Sequence, residues 1–272
     1  MKVELPPGLV IVISPHLDDA VLSLGAGIAR ATRSGTEVRA VTVFAGDPES
    51  SGPPTDLDRV GGFASAGEAA LGRREEDRRA CERVGANPVW LPFTDDDHGG
   101  EPEPEDVRAA LAEALVDAEV VLLPGYPLAH PDHVRLTQWL LAESPRARLG
   151  LYVEQPYAAW RHIGRGRREW AAPGLTAGRG IRNLLSILFR TPGGRRLQRP
   201  ALVPDVASAV AAEPAWAALR AEPRDRRLKQ RAMQAYHSQF TAFGKHTATM
   251  IALYELGWGG EGVAWISTAE RR

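Results

Sequence analysis

Apolar residues in this chain gather into short unbroken runs, and the stretches between them carry helical spacing. Leu9, Val10, Ile11, Val12 and Ile13 follow one another without polar alternation inside residues 8–14. A run rich in β-branched side chains predicts a strand buried on both faces, as in a parallel sheet. Comparable runs predict strands over 38–44, 89–91, 119–123 and 149–153. Helices are predicted over 20–32, 73–84, 105–116 and 133–142, and Gly85 supplies a stop for the second of these. Strands alternating with helices predict an α/β, Rossmann-like fold: a mostly parallel sheet with helices on both faces.

Two regions depart from that rhythm. Residues 46–72 are rich in Gly, Pro, Ser and Asp and read as a loop. A loop of that length in a compact domain usually has a function. Residues 155–223 hold many Pro, Gly and Arg and show no clear strand. A last helix is predicted over 226–240, followed by a Trp- and Gly-rich tail. The expected organisation is a single domain over 1–272: a core at 1–154, a basic insertion or lid at 155–223, and a C-terminal helix and tail at 224–272. The last two make an irregular and helical elaboration of the core.

Composition narrows the class. The chain has 272 residues, 44% hydrophobic and 25% charged, as in a globular protein. Lys and Arg total 33 against 34 Asp and Glu, a net charge of -1, which argues against a dedicated nucleic-acid binder. The single cysteine, Cys81, excludes an internal disulfide and reads as a small buried side chain. No run reaches the roughly 18 apolar residues of a membrane span, and residues 1–7 do not read as a secretory signal. The expected address is the cytoplasm.

Two constellations carry chemistry. Ser14-Pro15-His16-Leu17-Asp18-Asp19 directly follows the first predicted strand, and ligands of open α/β sheets bind beyond the carboxyl ends of the strands. Imidazole nitrogen and carboxylate oxygen both bind Zn²⁺, at about 2.0–2.2 Å. Of the two aspartates, one can ligate while the other acts as a base toward water. The plain alternative is that one of them caps the following helix. His130-Pro131-Asp132-His133 follows the strand predicted at 119–123 and enters a helix. One imidazole there can bind a metal while the other donates a hydrogen bond; the alternative is a pair of solvated histidines with Asp132 as cap. Both motifs are expected at one edge of one sheet, where three ligands and an open position would make a catalytic zinc site.

His16-Leu17-Asp18-Asp19 together with His130-Pro131-Asp132-His133 resembles the PIG-L/LmbE-like family of zinc-dependent N-acetylglucosaminyl deacetylases, which includes enzymes of antibiotic biosynthesis. Arg73, Glu76, Ala80 and Gly85 resemble that family's Arg-x-x-Glu helix, and Lys229 with His237-Ser238-Gln239 resembles its late Lys…His-x-Ser-Gln segment. The resemblance implies His16, Asp19 and His133 as zinc ligands, Asp18 as general base and His130 as the oxyanion donor. It implies Arg73, Asp95 and His237 as substrate-binding residues. Leu17 replaces the family's usual Pro and Ala20 its usual Glu, and loss of that Glu would remove a hydrogen-bond partner behind the metal. The implied reaction removes an acetyl group from an N-acetylglucosaminyl moiety of a small molecule or glycoconjugate. In it, zinc activates water, Asp18 takes the proton, and zinc with a protonated His130 stabilises the oxyanion.

Residues 161–199 hold ten arginines against one acid, Glu169. They read either as a helix packed on the core with solvated arginines or as a lid or interfacial helix making peripheral contact with an anionic membrane or substrate. Two other functions fit less of the pattern. A zinc amidase acting on a non-sugar acylated amine would use the same residues. A non-catalytic nucleotide-binding Rossmann-type module would need a glycine fingerprint in the first strand–helix turn, and Gly25-Ala26-Gly27 falls inside the helix instead; a metal-binding module built on Asp18 and Asp19 would not need His16, His130 or His133. His98, after Asp95, Asp96 and Asp97, reads as part of a solvated turn near the site. The sequence is silent on oligomeric state.

Overall fold

A computed structural model describes residues 2–143, 146–163, 202–210, 212–244 and 246–266. Eight strands make one sheet: β1 (Lys2–Val3), β2 (Leu9–Ser14), β3 (Glu37–Thr42), β4 (Asn87–Trp90), β5 (Val120–Tyr126), β6 (Arg148–Val153), β7 (Ala217–Leu219) and β8 (Gly262–Trp265). Their spatial order is β1-β7-β8-β6-β5-β2-β3-β4. Every pairing is parallel except those of β8 with β6 and β7. The fold is α/β with a mixed, mostly parallel sheet.

β2 explains why the sheet is buried on both faces. Val10 and Val12 pack into one apolar cluster with α1 (Asp19–Arg33) and α3 (Ala66–Val84). Ile11 and Ile13 pack into the other with α4 (Pro104–Ala114) and α5 (Pro131–Glu143). Alternate side chains point to opposite faces, so a strand with helices above and below must be apolar throughout. All four of these residues are fully buried.

From β2 the chain builds outward through β3 and β4, then returns to place β5 on the other side of β2. That reversal is a topological switch point, and a crevice opens there beyond the strand ends. His16 follows the end of β2 and His130 follows the end of β5, so both motifs enter the same crevice.

Several elements differ from the sequence reading. The loop expected over 46–72 contains α2 (Asp56–Gly61) and the start of α3. Both are capped: Thr55 Oγ1 accepts the Asp58 N–H (3.1 Å), and Ser65 Oγ accepts the Glu68 N–H (3.1 Å). After Glu154 the chain forms α6 (Tyr157–Ile163), and further on come α7 (Pro204–Ala207) and β7, a strand in a stretch where none was evident. The helix expected over 226–240 is two helices, α8 (Pro223–Met233) and α9 (His237–Phe243), and the tail holds α10 (Thr247–Trp258) and β8. The Arg-rich segment read as a lid or interfacial helix lies, beyond Ile163, outside the described residues. Among the described residues no helix is long and apolar enough to cross a membrane.

Gly25 and Gly27 have a packing role. A Cβ on Gly25 would meet Lys229 Cγ at 3.0 Å, and one on Gly27 would meet Leu219 Cδ1 at 2.4 Å. The missing side chains let α8 and β7 lie against α1. Lys229 is 1% exposed, and its Nζ donates to Glu255 and to Glu261 Oε1 (2.7 Å).

Candidate functional site

The turn after β2 is built by its own polar groups. Ser14 Oγ donates to the His16 carbonyl (2.6 Å) and accepts the Ala20 N–H (3.0 Å). Asp19 Oδ2 accepts the His16 N–H (2.9 Å). Asp18 makes no side-chain capping bond to α1. The capping alternative therefore does not describe Asp18, and Ser14 does that work instead. On the other side of the crevice, the His130 carbonyl accepts the N–H groups of His133 (3.1 Å) and Val134 (3.3 Å), with Pro131 at the first helical position.

Three donor atoms converge between these segments. His133 Nε2 lies 3.2 Å from His16 Nδ1 and 3.3 Å from Asp19 Oδ2, and Asp19 Oδ2 lies 3.5 Å from His16 Nδ1. Ligands about 2.0–2.1 Å from a tetrahedral Zn²⁺ stand near this distance from one another. The opposite nitrogen of each imidazole is held by a carboxylate: His16 Nε2 donates to Asp132 Oδ2 (3.2 Å), and His133 Nδ1 donates to Glu154 Oε1. Each bond holds its ring from behind and turns the other nitrogen toward the converging atoms, as in carboxylate–histidine–zinc arrangements. His130 completes a triangle of rings, 4.9 Å from His16 and 5.5 Å from His133 by centroid, and the three histidines together form a group able to hold a metal.

Charge shapes the site further. Burial opposes protonation of His16, yet Asp132 and Asp19 outweigh it and raise its pKa. Burial would raise Asp19, but His133 and His16 bring it below the usual carboxylate range. Asp132 is pushed to about 2: burial opposes this, and His16 and Arg135 prevail. Asp18 moves the other way. Burial, reinforced by Asp19, pushes it well above the usual range, and its Oδ2 is buried without a hydrogen-bond partner.

His130 differs from the protonated donor that was expected. Burial, then the neighbouring His16 and His133, push its pKa down. Its Nδ1 accepts the Asp132 N–H (3.3 Å), which places the ring proton on Nε2. The arrangement is that of a neutral imidazole donor.

A cavity of about 250 Å³ opens on this centre, with His16 and His130 in its lining. One wall is aromatic: Tyr157 meets His133 edge-on at 5.4 Å, Trp160 meets Tyr157 at 5.7 Å, and Phe243 meets Trp160 at 5.4 Å. Its lining also includes Phe44, Arg73, Asp95 and Asp97. The same four residues also line a second cavity of about 450 Å³, formed by the 45–55 loop, the start of α3 and residues 94–100. Arg73 is paired with Asp58 (2.8 Å), not with Glu76 or Asp77. His237 is not brought to either cavity. It is exposed and lines a separate depression with Phe240 and Ala248, while Gln239 reaches the metal-side cavity and Ser238 Oγ donates to Glu76 (2.7 Å).

Glu154 and Asp132 are the partners that sequence reasoning missed as supports of His133 and His16. Asp132 carried a signal, lying between the two histidines of its motif. Glu154 carried none beyond its place at a strand's carboxyl end.

Comparison with known proteins follows the same lines. Curated proteins give no match. Solved structures similar to this chain include the deacetylase of the antimicrobial A40926 pseudoaglycone, at 24% identity and TM-score 0.69, covering 97% of this chain and 98% of that one. The zinc inhibited form of a teicoplanin deacetylase is similar at 20% identity and TM-score 0.68, covering 97% and 100%. N,N'-diacetylchitobiose deacetylase from Pyrococcus horikoshii is similar at 18% identity and TM-score 0.52, covering 96% and 84%. At these identities the likeness shows a shared fold. The family model PIG-L, described as GlcNAc-PI de-N-acetylase, matches residues 11–142. That segment runs from β2 into α5 and carries both histidine motifs, and through it the chain is similar to the PIG-L family.

Proposed function

We propose that this protein is a zinc-dependent N-deacetylase that hydrolyses the acetamide of an N-acetylglucosaminyl unit on a small molecule or glycoconjugate, working as a single domain over 1–272. The observation that carries this reading is the convergence of His16 Nδ1, Asp19 Oδ2 and His133 Nε2 within 3.2–3.5 Å, with both imidazole rings held from behind by carboxylates. The description of the matched family, de-N-acetylase of a GlcNAc conjugate, and the sugar and glycopeptide deacetylases among the structural neighbours support the same reaction class.

His16, Asp19 and His133 fit zinc by donor type and spacing. A zinc ion held there supplies Lewis acidity, which lowers the pKa of water to about 7 and polarises an amide carbonyl. Asp18 accepts the proton of the attacking water; its raised pKa matches a group that must both take a proton and return it to the leaving amine. His130 donates from Nε2 to the carbonyl oxygen as negative charge develops, an interaction worth about 3–4 kcal/mol in comparable sites. Arg73 and Asp95, which line the same cavity as His16 and His130, bind the hydroxyls of the sugar ring. The aromatic wall of Tyr157, Trp160 and Phe243 covers the reacting group and excludes water.

The test is amine release from a panel of N-acetylglucosamine conjugates by zinc-loaded and chelator-stripped protein. Zinc-restored release from a sugar conjugate supports the proposal. Release only from non-sugar acylated amines would leave the amidase chemistry and remove the sugar.

A further inference from the structure

Within the acidic run Asp95-Asp96-Asp97-His98, Asp96 and Asp97 are exposed, but Asp95, Asp96 and His98 are engaged by hydrogen bonds. The run forms a 3₁₀ turn between β4 and α4. Asp96 Oδ1 accepts from Arg135 (2.7 Å), whose guanidinium also reaches Asp132 behind the metal ligand His16. His98 is held at both ring nitrogens: Nδ1 lies 2.6 Å from Asp95 Oδ1, and Nε2 lies 2.7 Å from Asp58 Oδ2. Asp58 is fully buried at the start of α2, accepts the Thr55 N–H (2.9 Å) and pairs with Arg73 (2.8 Å).

We propose that His98 is a positioning residue: as an imidazolium it joins Asp95 and Arg73, through Asp58, into one substrate-recognition unit. The inference rests on the deacetylase reading for the identity of the substrate.

The geometry requires the charge. Each nitrogen faces a carboxylate oxygen, and only the imidazolium donates from both. The four groups then alternate in sign, Asp95, His98, Asp58, Arg73, and cancel. Among the described residues the ion pairs of His98 are with Asp95 and Asp58: on its own turn Asp96 is turned to Arg135, and from α2 His98 meets Asp58, with Arg73 of α3 beyond. Both ends of the chain line both cavities, whereas His98 lines only the larger one. The hydrogen bonds to Asp95 and Asp58 outweigh partial burial and raise the pKa of His98 above its ordinary 6.5. Below that raised pKa the unit is intact. Above it one donor is lost, the two aspartates are no longer joined, and the 94–100 loop loosens against α2. Substrate binding should therefore weaken as pH rises, while turnover, set at the metal end, should not follow His98.

The experiment combines a direct reading of the ring with kinetics. Imidazole ¹⁵N resonances of the zinc-loaded protein are recorded from about pH 6 to 9, and kcat and KM on an N-acetylglucosamine conjugate are measured for wild type and His98→Gln. The expected spectrum shows both His98 nitrogens protonated at neutral pH. His98→Gln is expected to raise KM about tenfold, with kcat within about twofold, and to abolish the alkaline rise in KM; zinc content stays unchanged. A neutral His98 ring at pH 7 overturns the proposal, as does a variant that loses kcat and zinc while keeping KM. If His98→Gln does not fold, the wild-type spectrum and its KM–pH curve decide. If wild type hydrolyses no sugar acetamide, the deacetylase reading fails on its own, and the spectrum still tests the charged chain.

Discussion

Glu154 accepts a hydrogen bond from His133 Nδ1 with one carboxylate oxygen and from the Leu128 N–H with the other. It lies just beyond the end of β6, fully buried, as is His133. Leu128 takes a left-handed conformation, φ 51°, in the loop that leads to His130. A single carboxylate therefore holds both the ring of one proposed ligand and the path of the loop carrying the other two motif residues. Glu154→Gln is expected to weaken zinc binding about 10- to 100-fold, read by competition with a chromogenic chelator. Unchanged affinity would show that the ring is held by other contacts.

Asp18→Asn should separate metal binding from catalysis. Asp18 Oδ2 has no hydrogen-bond partner and Asp18 is outside the proposed ligand set, so zinc content should match wild type. Turnover should fall by roughly a hundred- to ten-thousandfold, the usual worth of a general base. A variant isolated without metal would make Asp18 a ligand and remove the proposed base.

Metal removal should be visible in stability as well as in activity. Zinc at about 100 times its Kd should stabilise the native state by about 2.7 kcal/mol over the stripped protein in urea denaturation. The expected gain is absent from His133→Ala. A chelated protein with an unchanged unfolding midpoint would mean that no ion is bound at these residues.

Lys229→Met tests the joint between α8 and α1. Glu261 accepts the backbone N–H groups of Ala26 (2.8 Å) and Gly27 (2.6 Å) as well as the Lys229 ammonium. Removing the cation leaves buried carboxylates uncompensated, which costs about 3–5 kcal/mol. Retained stability would show that Glu255 takes up a proton readily when the lysine is gone.

Glu255 itself gives the protein a pH signature. Burial, only partly offset by Lys229, pushes its pKa up to about 7 from an ordinary 4.5. Between those values the folded state keeps a proton that the unfolded state has lost. Its contribution is thus present at low pH and falls as pH rises from about 4.5 to about 7. Wild type minus Glu255→Gln, by urea titration across that window, should show a negative slope; a flat difference would contradict the shift.

The parts of the molecule legible in sequence are those where one local pattern suffices. The run Leu9–Ile13 announced a doubly buried strand, Gly85 announced a helix end at φ 79°, and two histidine motifs at strand ends announced a site. Thr55-x-x-Asp58 and Ser65-x-x-Glu68 were readable as capping signals for α2 and α3, but the surrounding Gly, Pro and Ser masked them. The helix Thr247–Trp258 is too evenly apolar to display a period, and the four residues of β8 are too short to display one. Glu154 and the His98 chain were hidden for another reason. Their partners lie 21 and 40 positions away, and nothing local distinguishes a carboxylate that will be buried against an imidazole from one in water.

The pairing of β1 with β7 bears on how the molecule is made. Lys2 and Val3 are synthesised more than two hundred residues ahead of their sheet partners Ala218 and Leu219. β6 likewise waits for β8. A nascent chain that has completed both histidine motifs still lacks the strands that close that side of the sheet and the lysine that fills the groove on α1. Such long-range pairings slow folding and leave strand edges open in the meantime. Expression of this protein should therefore depend on chaperone capacity, and fragments ending after β6 should aggregate.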